Sequence, residues 1–347
     1  MASIALFTSH VPFPWLRQMP ESGIVNGFRV TLNEMAEDCA FAVVYDEPPQ
    51  GLFSLALPRD RLMVVLSEPP GMKRYQPGFL NQFGHVMGPI EPEGFTGQWH
   101  SGHPALPWFY GVDFADQTRP ARLDLVALAS LPVLEKREAL SVVISKKAKL
   151  PKHRARLRFV EALEKRLGDR LHVFGRGFHE IADKAEAISP FAYHLVLENN
   201  DLPSFWTEKL ADAYLGWALP IFSGCANLEV DFPAQSFVAI DIAREAETLD
   251  RIEAMLESGL WSKRLPAISK ARVRLLTQHN LFTKLAEWAA TRPITASASG
   301  KEEGALHQNA QFLPLPQRLI RTIRLKTRNL RKDLRKKTSL EKETAGS

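Results

Sequence analysis

An acid, an amide and a lysine occupy positions where a parallel α/β fold binds phosphate. Glu198 and Asn199 follow the short apolar run 193–197, and Lys209 lies just inside the helical pattern that comes next. Ligands of parallel sheets bind at the carboxyl ends of strands, and the N-terminus of a helix offers free N–H groups and its positive dipole end. Lys209 would add a full charge. The segment therefore predicts a site for a phosphate-bearing ligand.

Each of these residues also has a purely structural interpretation. Lys209 is compatible with a solvated position in the first helical turn. Glu198 is compatible with a salt bridge at a strand end, and Glu208 with a carboxylate that caps the helix N-terminus. Either Ser204 or Thr207 could be the N-cap residue of this helix.

The elements that must position these residues alternate along most of the chain. Apolar runs continue without a polar alternation, which is typical of strands covered by helices on both faces. Between them, 152–167 and 207–217 carry apolar residues at helical spacing. The fold class predicted is therefore α/β with parallel sheets. The eight candidate strands are 4–7, 41–45, 62–66, 140–144, 171–174, 193–197, 219–222 and 237–240.

Composition places a boundary between two α/β domains near residue 131, which gives domains 1–135 and 136–294. Between residues 76 and 116 the chain is rich in Gly, Pro and aromatic residues without periodicity, and we interpret it as a functional loop. Segment 295–312 has the composition of a flexible linker, and a C-terminal tail occupies 313–347. Two such domains without a Gly-x-Gly-x-x-Gly fingerprint fit a nucleotide-sugar transferase better than a dehydrogenase.

The ordered motif around Lys209 resembles the donor-binding signature of glycosyltransferase family 10, the α-1,3/4-fucosyltransferases. The resemblance extends over 140–242 and implies a GT-B fold, in which two Rossmann-like domains face each other across a cleft. It also implies that the C-terminal domain holds GDP-fucose. The matching residues are Glu-Asn at 198–199, Thr-Glu-Lys-Leu at 207–210, Asp-Ala at 212–213, Pro-Ile at 220–221 and Gly224.

Carried over to this sequence, the resemblance implies particular donor contacts. Lys209 resembles the lysine that contacts the diphosphate, and Glu208 the acid that binds the ribose. Glu198 and Asn199 are expected near the sugar and its phosphate. Arg156 is the best match to an arginine of the preceding βα unit, with Arg154 and Arg158 as neighbours that could be confused with it, and a solvated helix face is the alternative for Arg156.

The sequence departs from the family pattern at two donor positions. Asn200 stands where the family usually has Ser, and Phe205 keeps an aromatic ring but lacks the phenol hydroxyl. These departures leave a GT-B transferase with a different nucleotide sugar as the alternative enzyme.

The catalytic base is expected from the other domain. The segment 66–71 resembles the family's Glu-Ser-Pro motif with Pro69 in place of Ser, which makes Glu68 the candidate base. The alternative for Glu68 is a strand-end carboxylate beside a rigid Pro-Pro turn. The rival acids are Glu21, Glu47 and Asp113.

The acceptor surface is expected in the aromatic loops near residues 10–15 and 99–110, where rings can stack on sugar faces and histidines can bond hydroxyls. Core packing is the alternative for each of these aromatic residues. The acceptor-side candidates are Trp15, Trp99, His103 and Tyr110. We expect no cofactor and no obligatory metal, because the sequence has neither metal-ligand spacing nor an Asp-x-Asp pair.

The charge of the chain is concentrated near its C-terminus. Residues 318–337 contain ten Lys/Arg and one acid, and their charge of +9 exceeds the chain's total of +5, so the rest is mildly acidic. Apolar residues of this segment fall on one helical stripe with basic residues around it, which is typical of an interfacial helix on anionic lipid. A disordered tail and a helix that binds nucleic acid or a protein partner are the alternatives, although we expect no nucleic acid.

These observations predict an inverting α-1,3-fucosyltransferase that moves L-fucose from GDP-fucose to a GlcNAc-containing lipid-linked or lipopolysaccharide oligosaccharide. No apolar run is long enough for a spanning helix, the N-terminus lacks a basic leader, and there are only two cysteines. We therefore expect a cytoplasmic protein at the inner face of the membrane. A non-enzymatic protein that binds membrane or polyanion through its tail is the hypothesis from another class.

Overall fold

Buried β-branched and aromatic runs form most of the strands of this protein. The computed structural model describes residues 1–49, 53–55, 57–146, 148, 151–292 and 304–317. The strands are β1 (Ser3–Thr8), β2 (Ile24–Val25), β3 (Phe28–Leu32), β4 (Cys39–Tyr45), β5 (Phe53–Leu55), β6 (Leu62–Val65), β7 (His85–Gly88), β8 (Gln98–Ser101), β9 (Arg137–Val143), β10 (Leu171–Phe174), β11 (Phe191–Leu197), β12 (Leu219–Ser223), β13 (Val238–Ala239) and β14 (Gly304–Leu306).

Helices connect these strands, as the apolar spacing predicts. They are α1 (Pro77–Leu80), α2 (Leu125–Ser130), α3 (Pro151–Leu167), α4 (Ala185–Ile188), α5 (Glu208–Leu215), α6 (Glu245–Leu256), α7 (Leu260–Thr277) and α8 (Leu281–Ala290). Short 3-10 helices lie at Trp15–Gln18, Arg59–Arg61, Gly168–Arg170, Leu228–Val230, Ala234–Ser236 and Asn309–Phe312.

The described strands build two larger sheets, one in each half of the chain. The first has the order β2-β3-β1-β4-β6-β7-β8 and is parallel except for the β2–β3 pair. The second has the order β10-β9-β11-β12-β13 and is parallel throughout. The predicted α/β class with parallel sheets and all eight predicted strands are confirmed.

The segment interpreted as a functional loop, 76–116, is more regular than predicted. It contains α1 and the two strands β7 and β8, which complete one side of the first sheet. The sequence hid these strands because each is four residues long and β8 is an edge strand with little apolar alternation. That expectation was wrong for these residues.

Buried polar groups join the two halves of the chain. The Arg17 guanidinium donates to the carbonyls of Trp108 and Tyr110, each at 2.8 Å. The Asp212 carboxylate of α5 accepts from the backbone N–H of Tyr110 at 2.9 Å. Buried groups of this kind fix geometry because leaving either partner unpaired is costly. The connecting segment 102–124 is thus held by both halves.

Helix α8 lies within the predicted second domain but packs against the first sheet. Its apolar residues share a core cluster with Ile4 and Phe41, because an amphipathic helix must bury its apolar face and the first sheet offers one. The residues of α8 in this cluster are Leu281, Phe282, Leu285, Ala286, Trp288 and Ala289. The chain therefore crosses back to the first domain after α7.

Part of the predicted linker 295–312 is also packed. Strand β14 pairs antiparallel with β5, and the buried Asn309 bonds to residues of the first domain. We call residues 304–317 the C-terminal segment. Residues 295–303 of the predicted linker and 318–347 of the predicted basic tail lie outside the described residues.

Candidate active site

A cavity of about 490 Å³ lies between the two halves of the chain. Loops of the first sheet form one wall, and the β11–α5 connection of the second sheet forms the other. Six of the eleven predicted site residues line this cavity: Trp15, Glu68, Asn199, Phe205, Glu208 and Lys209.

Glu198 organises the wall that belongs to the second sheet. It follows β11, and its buried carboxylate accepts from the backbone N–H of Thr207 at 2.7 Å and from the Thr207 hydroxyl at 2.8 Å. Thr207 is the N-cap of α5, and its hydroxyl accepts from the Lys209 backbone N–H at 3.4 Å. The strand-end acid thereby fixes the N-terminus of the helix that carries Lys209.

The Lys209 ammonium is surrounded by oxygen acceptors. Its Nζ donates to Thr207 Oγ1 at 2.8 Å and to the carboxylates of Glu198 and Glu208 at 3.3 Å each. Burial opposes the ammonium charge, but the Glu198 and Glu208 carboxylates outweigh it and raise the pKa of Lys209. The side chain remains 23% exposed. A fixed cation therefore lies at the cavity wall.

Glu208 is held as an anion beside Lys209. Burial opposes its charge, but the nearby ammonium groups of Lys209 and Lys184 lower its pKa to about 2. The Lys184 Nζ lies 3.6 Å from Glu208 Oε1. At neutral pH, Glu208 is an acceptor for hydroxyl groups.

A second cavity of about 750 Å³ follows the same edge of the second sheet. Arg156 and Glu198 line it, and the Arg156 guanidinium donates to the Leu197 carbonyl at 2.8 Å. Burial lowers the pKa of Arg156, but an arginine stays charged at neutral pH. Gly224 closes in on Glu198, where a Cβ would lie 3.0 Å from Glu198 Cγ. A Cβ at that position would also lie 2.5 Å from Phe222 Cζ, so a side chain there would displace the Phe222 ring and the Glu198 side chain.

Two polar atoms at these cavities have no hydrogen-bond partner among the described residues. They are Arg156 Nε and Asn199 Oδ1, and both are buried. An unpaired buried polar atom costs free energy, so each of these two atoms is available to bond a water molecule or a ligand that enters the cavity. Arg154 and Arg158, the neighbours that the sequence could not separate from Arg156, are exposed and line neither cavity.

Glu68 lies on the opposite wall, three residues beyond the end of β6. Its backbone N–H donates to the Tyr75 hydroxyl at 3.4 Å, and its exposed carboxylate has no hydrogen bond with the described residues. Partial desolvation by the cleft walls, followed by the carboxylates of Asp46 and Glu208, raises the pKa of Glu68. An unpaired carboxylate with a raised pKa is suited to accept a proton.

Sequence reasoning missed a charged cluster beside Glu68. Buried Asp46 accepts from Lys73 Nζ at 2.7 Å and from the Tyr75 hydroxyl at 2.5 Å, and its Oδ2 lies 2.8 Å from His10 Nε2. Burial opposes the charge of Asp46, but His10 and Lys73 lower its pKa well below the ordinary range. The signal was available, because Asp46 directly follows β4 at the same sheet edge as Glu68.

The acceptor-side candidates separate into one residue at the cavity and three elsewhere. Trp15 lines the cavity, although its ring packs on Tyr45 with centroids 4.7 Å apart. Trp99 donates its indole N–H to the Gly88 carbonyl, and His103 stacks on Trp206 with centroids 3.5 Å apart.

Tyr110 is the third candidate that does not line the cavity. Its hydroxyl lies 2.7 Å from Ser189 Oγ, inside the junction of the two halves. Tyr110 and His103 are both buried, and His103 Nε2 lies 2.7 Å from the Trp206 carbonyl. The loops instead present other residues to the cavity, namely His10, Val11, Phe13, Met72, Phe109 and Arg119.

The rival acids do not line the cavity between the domains. Glu21 is exposed in a turn. Glu47 is paired with Lys73 at 2.9 Å, and Asp113 accepts from Arg122 at 2.5 Å. Within the described ranges, no helix is long and apolar enough to cross a membrane. The same residues contain no group of three or more His, Cys, Asp or Glu side chains that could hold a metal ion.

Comparison with known proteins gives a match for part of the second half of the chain. Residues 133–258 match the family described as glycosyltransferase family 10 (fucosyltransferase), C-terminal part. An α-(1,3)-fucosyltransferase of Helicobacter pylori is 32% identical over 76 residues, which are 22% of this chain and 16% of that relative. The match thus spans about a sixth of the relative's length.

This chain also has limited similarity to solved structures. A crystal structure of an α1,3-fucosyltransferase with GDP-fucose is 17% identical, with a TM-score of 0.49, over 87% of this chain and 93% of that chain. A crystal structure of an α1,3-fucosyltransferase with GDP is 17% identical, with a TM-score of 0.45, over 76% of this chain and 81% of that chain.

Proposed function

From the match of residues 133–258 to glycosyltransferase family 10, we propose that this chain is an inverting α-1,3-fucosyltransferase of GT-B fold that uses GDP-fucose. The observation that carries the proposal is the opposition of two groups across one cavity. Lys209, fixed by Glu198 and Thr207, lines one wall, and the unpaired Glu68 carboxylate lines the other.

In the proposed reaction, the second sheet binds the donor. Lys209 and Arg156 contact the diphosphate, and Glu208 accepts from ribose hydroxyls. Asn199, with its unpaired Oδ1, contacts the sugar. When the bond between the anomeric carbon and the β-phosphate breaks, negative charge increases on GDP. Cations already fixed in the protein stabilise that change without reorganisation.

Glu68 supplies the second half of the reaction. It takes the proton of the acceptor hydroxyl while that oxygen forms its bond to the anomeric carbon from the face opposite GDP. The β-linked donor becomes an α-linked product. The raised pKa of Glu68 brings the carboxylate closer to the range in which it accepts a proton efficiently. No metal enters this scheme, because Lys209 and Arg156 supply the positive charge.

The test is GDP release by the purified chain from GDP-fucose and from UDP-sugars, with and without N-acetyllactosamine. We expect turnover of GDP-fucose that the acceptor stimulates. Lys209→Ala lowers it by about 10²- to 10³-fold, the range found for one preorganised charge-stabilising donor. Turnover of a UDP-sugar instead would favour a GT-B transferase that uses a different nucleotide sugar. Asn200, which replaces the usual Ser of the family pattern and lines the cavity, supports that alternative.

Arg156 and Arg158 form a matched pair for the donor site. Both are arginines of α3, but only Arg156 lines the second cavity, the one of about 750 Å³ beside Glu198. We expect Arg156→Ala to weaken GDP binding in calorimetric titration by about tenfold, which is 1.4 kcal/mol, and Arg158→Ala to leave it unchanged. Absence of GDP binding to the wild-type chain would refute the fucosyltransferase proposal.

The acceptor is proposed as an oligosaccharide that contains GlcNAc, in a lipid-linked or lipopolysaccharide precursor at the cytoplasmic face of the membrane. The ten Lys/Arg of residues 318–337 support a membrane-associated acceptor. Co-sedimentation of the full chain with phosphatidylglycerol vesicles but not with phosphatidylcholine vesicles is the expected result. Equal binding to both would contradict an electrostatic contact.

A further inference from the structure

The C-terminal segment is fixed against the loops that follow β4 and precede α1. The backbone N–H of Asn309 donates to Glu47 Oε2 at 3.1 Å, and its side-chain oxygen accepts from the Gln76 N–H at 2.6 Å. The Asn309 amide nitrogen donates to the Arg74 carbonyl at 2.9 Å. These bonds, together with the β5–β14 pair, make the segment a wall of the first domain.

That wall encloses a cavity of about 790 Å³ outside the candidate active site. Ser9 lines both this cavity and the cavity that contains Glu68, so the two are neighbours. Its backbone N–H donates to the Glu47 carbonyl at 2.9 Å. The residues that line the outer cavity are Ser9, Asp46, Glu47, Lys73, Arg74, Gln76, Gln308, Asn309, Leu313, Pro314 and Gln317.

The chemistry of this lining fits a neutral ligand rich in hydroxyl groups. The lining contains two carboxylates, Asp46 and Glu47, and two cations, Lys73 and Arg74, so its formal charge is balanced. Of its four carboxamides, those of Asn309 and Gln308 are already bonded within the wall, whereas those of Gln76 and Gln317 offer the donors and acceptors that hydroxyl groups need. Leu313 and Pro314 contribute apolar surface. A strongly ionic ligand would find no net attraction, and the volume is within the range of small-molecule sites.

The position of the outer cavity relative to Glu68 indicates which ligand the cavity would bind. The donor occupies the wall of the second sheet, so the acceptor must approach Glu68 along the first domain. The outer cavity continues that side of the cleft beyond Ser9. We propose that it binds the sugar units of the acceptor beyond the unit that receives fucose. This inference rests on the proposed function and deepens it: the preferred acceptor is an oligosaccharide longer than a disaccharide.

The experiment compares kcat/KM for transfer from GDP-fucose to N-acetyllactosamine and to a hexasaccharide of three N-acetyllactosamine units. Two glutamines of the C-terminal segment provide matched variants. Gln317→Trp places additional bulk in the outer cavity, whereas Gln311→Trp adds the same bulk at an exposed position that does not line it. GDP binding is measured for every variant.

We expect the wild-type chain to prefer the hexasaccharide by about tenfold, the effect of one additional modest contact surface. Gln317→Trp brings that preference close to one and leaves disaccharide transfer unchanged, and Gln311→Trp keeps the preference. Equal kcat/KM for both acceptors, or a preference that Gln317→Trp does not alter, overturns the inference while the proposed function stands. Failure of the wild type to bind GDP or to turn over GDP-fucose refutes the proposed function itself, and the inference with it.

Discussion

Glu198 and Glu68 each follow a strand of a parallel sheet, yet the protein treats the two carboxylates in opposite ways. The Glu198 side chain has no exposed surface and is bonded to Thr207 and Lys209. Glu68 is exposed to the cleft, and its carboxylate has no hydrogen bond with the described residues. The first arrangement builds a rigid binding wall, and the second keeps a proton acceptor free.

The neighbouring charges reinforce this division of labour. The Glu198 carboxylate lies against the Lys209 ammonium and the Thr207 N–H. Partial burial and then the carboxylates of Asp46 and Glu208 raise the pKa of Glu68, and Lys73 and His10 offset this only in part. The wall of the proposed donor site thus holds fixed charges, while the opposite wall holds a carboxylate that gains a proton more readily than usual.

The largest expected effect is that of Glu68→Gln, which changes only the wall opposite the proposed donor site. Glu68→Gln removes the proton acceptor but keeps the shape, so transfer should fall by about 10²- to 10⁴-fold. GDP affinity and the thermal midpoint of unfolding should stay unchanged, because the side chain is exposed and unpaired. Steady-state kinetics with calorimetry check this, and Glu21→Gln, at an exposed rival acid, is the control. Loss of GDP binding in Glu68→Gln would assign Glu68 to the donor side.

Glu198→Ala removes the carboxylate that holds the wall of the proposed donor site, and its main effect is on the free energy of unfolding. The substitution removes the buried acceptor of the Thr207 N–H and one of the two carboxylates beside the Lys209 ammonium, which costs about 3 kcal/mol, the low end for a broken buried ion pair, because Glu208 remains. Urea unfolding of the wild type and both glutamate variants measures the difference. If Glu198→Ala and Glu68→Gln unfold at the same urea concentration, the contrast between the two carboxylates is wrong.

Thr207→Val sharpens the comparison with a smaller change. It keeps the size of the side chain but removes the hydroxyl that bonds Glu198 and Lys209. Loss of a helix cap and its bonds should lower the free energy of unfolding by about 1–2 kcal/mol and weaken GDP binding. Thr207→Ser retains the hydroxyl and should behave like the wild type. Equal losses in both variants would show that the methyl group, not the hydroxyl, matters.

The smallest expected effect is on pH dependence. Glu68 acts when it is deprotonated, so the rate falls as the pH decreases through its raised pKa. Asp46→Asn removes the neighbouring charge that raises this pKa and leaves Lys73 and His10, which lower it. The acidic limb of kcat should therefore move to lower pH. A limb that moves to higher pH, or disappears in Glu68→Gln without loss of rate, would contradict the assignment of Glu68.

The donor side could be predicted because it is almost contiguous in sequence. β11, Glu198, Thr207 and Lys209 lie within about twenty residues, and strand-end and cap rules place them together. The acceptor side is assembled from separate loops. Trp99 and His103 carry the residue types of a sugar site, but tertiary packing directs them into other contacts.

The first sheet shows the same limit. Buried strands such as β4 and β6 are continuous apolar runs and were predicted, whereas β7 and β8 were not. Gly84, which precedes β7, shows a contact that sequence periodicity does not reveal. A Cβ added at this glycine would collide with the backbone carbonyl of Arg59, so the position depends on a neighbour 25 residues earlier. Asp46 was missed for a different reason, since its strand-end position was visible but its partners Lys73 and Tyr75 come from a later loop.

The return of α8 to the first sheet determines how this protein can be recombined with its relatives. A chimera that exchanges the first half by cutting once near residue 131 would separate the first sheet from six apolar residues of α8 that complete its core. The exchangeable unit is discontinuous, and it consists of the N-terminal half together with 281–292 and the C-terminal segment. The core of the first sheet stays complete only when both pieces of chain move together.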